Sequence, residues 1–240
     1  MILTDSLLYK IDQKLNKLSS NSHQSIELED KLLAINEAQI TLVKQKLNSN
    51  NVLSGGLDAF KKRYEDLQNL VETEHKLPLK ETDKKLNAWS FAIKELKGKY
   101  MFYVNSYLVA DKGSCEGRVI YVNRDLTKHS DVHLLLNNNN YKPSFEYQET
   151  FCTIANDEIA VYTDGTFKPK DLYLSYIRYP KYIDKEGYIK LDGSASINSD
   201  CELQDYLEDE LVDLAVKNLA MYTDNPTAVE AAQVRIQTNE

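Results

Sequence analysis

The spacing of apolar residues changes twice along the chain, which divides it into a helical start, a β-rich middle and a helical end. Leu7, Leu8, Ile11, Leu15 and Leu18 recur at intervals of three and four, the stripe of an amphipathic helix. After the polar run SSNSHQS, Ser25 stands where an N-cap belongs, and a second stripe follows through Leu28, Leu32, Ile35, Ala38 and Leu42. Glu27, Glu29 and Asp30 at its start and Lys44 and Lys46 at its end suit the helix dipole. Two such helices joined by a short polar loop predict a helical hairpin. Beyond the connector NSNNVLSGG, Leu57, Phe60, Tyr64, Leu67 and Val71 predict a third helix. Leu86, Trp89, Ile93 and Leu96 predict a fourth, stopped at Gly98, with Trp89 as a core anchor.

At Tyr100 the period falls to two, and MFYVNSYLVA and RVIYVN read as strands separated by a turn region at Gly113 and Gly117. Ser130-Asp131 is placed to cap a short helix through Leu136, and Asn137 to Asn140 form a polar loop. Phe145 to Ile154 reads as extended. Ile159, Val161 and Thr163 alternate up to Asp164-Gly165, and a second extended run spans Leu172 to Tyr179, so this stretch predicts a β-hairpin. Its second strand is apolar on both faces, which places it either inside a domain or against a neighbouring subunit. With GYIKL at Gly187 to Leu191, about six strands are expected.

Ser199 and Glu202 have the spacing of a capping box and open a long helix lined by Leu203, Leu207, Leu211, Leu214, Ala215, Leu219 and Tyr222. Asn225-Pro226 ends it, and Val229, Ala232 and Ile236 mark a short apolar tail suited to docking on a partner. The expected fold class is therefore α+β: a helical bundle built from N- and C-terminal helices, with an inserted β-rich region, a small barrel or sandwich. The expected divisions are 1–98, 99–193 and 194–240, the last packing back on the first.

Composition narrows the function. With 29 Lys and Arg against 37 Asp and Glu the chain carries a formal charge of −8, which argues against a protein that grips nucleic acid by neutralising phosphates. Proximity to DNA without binding is compatible with that sign. Sixteen tyrosines, twelve of them between Tyr100 and Tyr188, suit surfaces that become buried on assembly, although an A/T-rich coding sequence explains the same bias. Cys115, Cys152 and Cys201 fit no zinc spacing and read as reduced thiols, and no leader or membrane span is expected.

Chemistry is sparse. The best enzymatic set is Cys115 as nucleophile, His129 or His133 as base and Asp125 or Asp131 as orienter, a cysteine-dependent hydrolase. Cys115 lies between two glycines beside Glu116, a poor setting for a thiolate. His129 and His133 lack a third metal ligand of matching spacing, and no phosphate loop or dinucleotide fingerprint occurs, so neither cofactor nor metal is expected. Arg178 among Tyr176, Tyr179 and Tyr182 suits either an internal stack or an interface.

The order of elements carries a resemblance. The helix ELEDKLLAINEAQITLVKQKL, the β region ending in LYLSYIRYPKYI and the acidic helix DCELQDYLEDELVDLAVKNLAMY follow one another. This layout resembles the head-to-tail adaptor (connector or ring) proteins of tailed bacteriophages, and TDGTF and YIRYP look most like the ring proteins of crAss-like phages. Ile35 to Gln39 and Arg178 to Pro180 match the early-helix and R-x-P elements, while the β region from Tyr100 to Leu191 is larger than in the simplest adaptors. The resemblance implies a non-enzymatic virion protein at the head-tail junction, assembled in the bacterial host cytoplasm. It implies a homo-oligomeric, twelve-fold ring that binds the portal protein and the next tail component and lets DNA through without specific binding. On that basis Tyr173, Tyr176, Ile177, Arg178 and Tyr179 become candidate subunit contacts, and Val229, Ala232 and Ile236 a candidate docking tail.

Overall fold

Helices α1 (Thr4–Leu18) and α2 (Leu28–Leu47) form where the stripes predict them, in a computed structural model. It describes residues 2–18, 26–47, 65–83, 86–94, 96–122, 127–190, 193–222, 229–230 and 232–235. Leu7, Leu8, Ile11 and Leu15 on α1 and Leu32, Ile35, Ala38 and Leu42 on α2 are buried. The two helices do not chiefly cover each other, contrary to the expected hairpin. Each packs instead on the late helix α4 (Glu208–Tyr222), which is buried at Leu211, Val212, Leu214, Ala215, Val216, Leu219 and Ala220.

Ion pairs accompany this arrangement, and one of them, Lys31 to Asp12 at 2.6 Å, also ties α2 to α1. The acidic side chains of α4 are not a solvated face: Glu208 and Asp209 meet Lys10 at 2.7 and 2.9 Å, buried Asp213 meets Lys14 at 2.6 Å, and Glu210 meets Lys46 at 2.7 Å. A carboxylate as buried as Asp213 is tolerated only when paired. The expected capping box is also absent. Ser199 instead exchanges backbone hydrogen bonds with Asp184, Glu202 accepts from the Lys181 amide at 3.1 Å, and α4 begins only at Glu208. Asp200 serves α1, accepting the Thr4 amide at 2.9 Å and so satisfying an orphan donor of that helix's first turn.

Nine strands occupy the middle of the chain among the described residues, where about six were expected. They are β1 (Val71–Leu77), β2 (Leu79–Asp83), β3 (Ala88–Ala92), β4 (Tyr100–Lys112), β5 (Cys115–Val122), β6 (Glu149–Thr150), β7 (Cys152–Ala155), β8 (Glu158–Tyr162) and β9 (Lys168–Arg178), with helix α3 (Val132–Asn137) between β5 and β6. A five-stranded sheet runs β1-β9-β4-β5-β6 and a four-stranded sheet β2-β3-β8-β7. Pro78 separates β1 from β2 and Phe151 separates β6 from β7, so at both margins a continuous stretch of chain turns from one sheet into the other. Leu77, Phe91, Leu108, Ile120, Ile159, Val161, Phe167, Leu172, Leu174 and Tyr176 fill the space between the sheets. Each contributes roughly 1.5–3 kcal/mol by leaving water.

The predicted fourth helix is a strand. Trp89, Phe91 and Ile93 alternate into the core while Ala88 faces a second cluster under α3 with Val132, Phe151 and Tyr162. A stripe at 86, 89, 93 and 96 satisfies helix and strand alike over so short a run, and hydrogen bonding to β2 and β8 on either side decides it. Most of the predicted third helix lies outside the described residues, but its last stripe residue, Val71, opens β1.

The hairpin expected at Asp164-Gly165 does not form. β8 pairs with β3 and β7, whereas β9 pairs with β1 and β4, so this turn carries the chain from one sheet to the other. Asp164 accepts the Thr166 amide at 2.8 Å, an Asx turn, and Gly165 has φ +81°. The two-residue hairpin of this region lies one strand earlier: Asn156 and Asp157, at φ 51° and 60°, join β7 to β8. The hairpin of β4 and β5 is where the sequence places it. GYIKL forms only an isolated bridge, Ile189 to Ala195. Short helix α3 is present, without a side-chain cap from Ser130 or Asp131.

The chain divides into Met1–Leu70 with Pro180–Glu240, and Val71–Tyr179. The expected breaks after residues 98 and 193 fall instead at 70 and 179, because residues 71–92 contribute three strands to the two sheets.

Candidate interaction surfaces

Strand register produces the first surface. Leu77, Leu172, Leu108 and Ile120 stand opposite one another across β1, β9, β4 and β5, and all four point into the core. Side chains alternate along a strand, so the neighbouring row must point outward. That row is Lys76, Tyr173, Tyr107, Tyr121 and Glu149, one residue from each of the five strands. Tyr107 and Tyr173 stack with ring centroids 4.9 Å apart, and Tyr121 is 55% exposed. The next outward row is Asp171, Val109 and Val119, with Asp171 held by Lys76 at 2.8 Å. Phe102, 37% exposed, lies toward the other end of β4. The result is a tyrosine and valine face whose nearest cation is already paired.

Buried polar groups build the second surface, on the segment after β9. Asn36, fully inside α2, donates to the Ile183 carbonyl at 2.9 Å and accepts its amide at 2.8 Å, which pins the segment to the helix. Asp184 is then the hub of a finger. Its backbone pairs both ways with Ser199, and its buried carboxylate accepts from the Tyr188 hydroxyl (2.8 Å), the Lys185 amide (2.9 Å), the Lys190 ammonium (2.8 Å) and the Ile197 amide (3.3 Å). Burial raises the carboxyl's pKa, but Lys190, Tyr188 and the two amides outweigh it and hold the group below its ordinary value. Burial and the Asp184 charge together push the Tyr188 hydroxyl strongly up. Ser196 accepts the Gly187 and Tyr188 amides, both at 3.0 Å. Tyr188, Lys190 and Ser196 thus occupy the inner face. Ile189, Ala195 and Ile197 alternate with them and form an outer face that is entirely apolar, with Ile189 72% and Ile197 65% exposed.

The subunit contacts expected from sequence divide between surface and core. Tyr173 belongs to the outward row, half-buried. Tyr176 has no exposed surface: it lies in the core and donates its hydroxyl to the Lys97 carbonyl at 2.7 Å. Ile177 is buried as well, so neither is available to a neighbour. Arg178 pairs with Glu72 at 3.3 Å, and its side chain packs over Gly98, where φ is +73° and a Cβ would sit 3.1 Å from the arginine Cδ. Tyr179 lies under the Lys99 ammonium at 5.1 Å. These contacts make Arg178 an internal clamp between β9 and the turn before β4. In the tail, Ala232 is completely buried and Val229 half-buried, against the expectation of a free docking segment, while Ile236 lies outside the described residues. The finger was missed because GYIKL reads as an ordinary strand; its exposed isoleucines are the signal that a period-two count hides.

Cys115 is exposed at the start of β5, His133 is exposed on α3, and Asp125 lies outside the described residues. Cys152 and Cys201 are buried, and burial pushes both thiols up to about 11. Among the described residues no group of three or more His, Cys, Asp or Glu is placed to hold a metal ion. No helix among them is long and apolar enough to cross a membrane. Compared with protein-family models and with curated proteins, the chain matches none.

Proposed function

We propose that the chain is a non-enzymatic structural subunit of a homo-oligomeric ring, the phage head-to-tail connector that the sequence layout resembles. In this reading the helices from both ends of the chain form one bundle and the two-sheet β-rich region is its inserted lobe. The ring sits below the portal, continues the DNA channel and offers a platform to the next tail component. One observation carries the reading: among the described residues two different surfaces with exposed apolar side chains occur, the outer face of the finger on one unit and the tyrosine row, flanked by Lys76 and Glu149, on the other. A ring built head to tail needs two unlike surfaces on every copy, whereas a two-fold dimer needs only one. The charge agrees, because a net −8 chain lining a channel does not grip the DNA that passes.

Negative-stain electron microscopy of the purified protein, alone and mixed with portal protein, tests the proposal. Closed rings of constant subunit number are expected. A species that sediments as a monomer under both conditions refutes it.

A further inference from the structure

We propose that residues 2–5, at the start of α1, are a latch, and that the finger they hold, with stalks 184–190 and 193–200, is a strap that swings out when they let go. Burial marks the strap. Its ends are fixed in the core, at Ile183 on one side and at Cys201 and Leu203 on the other. Between them the buried side chains are Asp184 and Ser196, both polar, while Ile189, Ala195 and Ile197 face water. Among the described residues neither stalk fully buries an apolar side chain, so hydrogen bonds rather than core packing keep the strap closed. Elements held in that way open at low cost.

Residues 2–5 hold both stalks. On the returning one, Asp200 accepts the Thr4 amide at 2.9 Å, and the Thr4 hydroxyl lies 3.1 Å from the Ser199 carbonyl and 3.0 Å from the Asp200 carboxylate. At the end of that stalk Ile2 and Cys201 exchange backbone hydrogen bonds, both at 3.1 Å, with the Ile2 side chain buried. On the outgoing stalk Lys185 meets Asp5 at 2.5 Å, an exposed pair that adds little. Ile2, Thr4 and Asp200 therefore carry the latch.

The latch is coupled to the hub of the finger. Ser199, held by Thr4, pairs through its backbone with Asp184, so release at Thr4 reaches Asp184 through a single residue. Displacing residues 2–5 leaves Lys10 and Lys14 on the acids of α4, and α1 keeps its seat while the strap is freed. Cys201 reports the state of the latch, because it stands opposite Ile2 and its thiol is fully buried while the two are paired. The latch acts within one copy and stands whether or not copies form a ring.

Thiol labelling and proteolysis together test it. In a Cys115→Ser background, which removes the exposed thiol, Cys201 reads the latch and Cys152 reads the β-rich unit. Ile2→Ala and Asp200→Ala are each expected to raise Cys201 labelling by a disulfide reagent, and trypsin cleavage after Lys185 and Lys190, about tenfold, the effect of losing one or two contacts. Cys152 labelling and far-UV circular dichroism should not change. Faster labelling with unaltered cleavage means that Ile2 only covers the thiol, and no change in either means that the finger is held elsewhere; both results overturn the proposal. Asp200→Ala also removes a bond to the first turn of α1. If it lowers the helical signal, Ile2→Ala, which leaves that bond in place, decides on the same two readouts. Loss of helical signal in both variants overturns the proposal as well, since residues 2–5 would then belong to the helical core.

Discussion

Asp184→Asn isolates the finger's anchor, because the substitution keeps shape and removes only charge and one acceptor. The carboxylate oxygens divide their donors: one takes the Lys185 amide and the Tyr188 hydroxyl, the other the Lys190 ammonium and the Ile197 amide. An asparagine can present its carbonyl to one pair only, and its NH2 then faces two donors. On the Lys190 side the loss is one charge-assisted bond, about 1.5–3 kcal/mol, and one amide bond, about 1 kcal/mol. Lys190 can turn to water, which discounts the first figure. About 3 kcal/mol remains, equivalent to a roughly hundredfold rise in the opening of the finger at 1.4 kcal/mol per decade. Limited trypsin cleavage after Lys185 and Lys190, in the regime where opening is fast relative to cleavage, reads that constant directly. A change below about threefold would mean that Asp184 does not hold the finger. The pH dependence has a definite sign. The group's folded pKa lies below the ordinary 3.8, so its stabilisation is fully present above that value and is lost only as pH falls through the lowered one. Opening of the finger in the native chain, followed across pH by amide hydrogen exchange referred to the intrinsic rate because trypsin itself loses activity in acid, should therefore be flat from neutral pH down to about 4 and rise below it, and the asparagine variant should lack that acid limb.

Three further outcomes are expected. Asn36→Ala removes both bonds to Ile183 and leaves a buried amide and carbonyl unpaired, which should cost about 2–4 kcal/mol in urea unfolding followed by far-UV circular dichroism; a loss under 1 kcal/mol would show that water replaces the side chain. Tyr176→Phe deletes the hydroxyl bond to Lys97 and should cost about 1 kcal/mol with self-association unchanged by sedimentation, whereas weakened assembly at full stability would return Tyr176 to an interface. Of the three thiols, Cys115 should react with a disulfide reagent at pH 8 in the native protein and the other two only in denaturant, because burial raises both Cys152 and Cys201 to about 11. Fast labelling of two or more native thiols contradicts that burial.

Individual elements show how far local patterning reaches. Helices α1, α2 and α4 were legible because each has several turns of apolar period, and the β4 and β5 hairpin because long strands flank a glycine turn. The strand β3 was misread because Leu86, Trp89, Ile93 and Leu96 fit two periods over one short run. Asp164-Gly165 was misread for a different reason. Turn residues report a reversal, not which strands flank it as partners, and Asn156-Asp157 carried the same signal one strand earlier. On the candidate surfaces, Tyr173 was legible as outward-facing, while Tyr176 and Ile177 were assigned to an interface that their burial excludes.

Sequence by itself determined the α+β class, the position of the main helices, the acidity of the last segment and the wealth of tyrosine between Tyr100 and Tyr188. These are sums over neighbouring residues, and local spacing is enough to set them. Only the tertiary structure decided that β8 and β9 belong to different sheets, that the acids of α4 are spent on Lys10, Lys14 and Lys46, and that Lys76, Tyr173, Tyr107, Tyr121 and Glu149 form one outward row. Each of these depends on partners more than thirty residues apart or on a strand register. A shift of one residue in register exchanges the row that is buried for the row that meets water, and no local pattern fixes it when both faces of a strand are apolar.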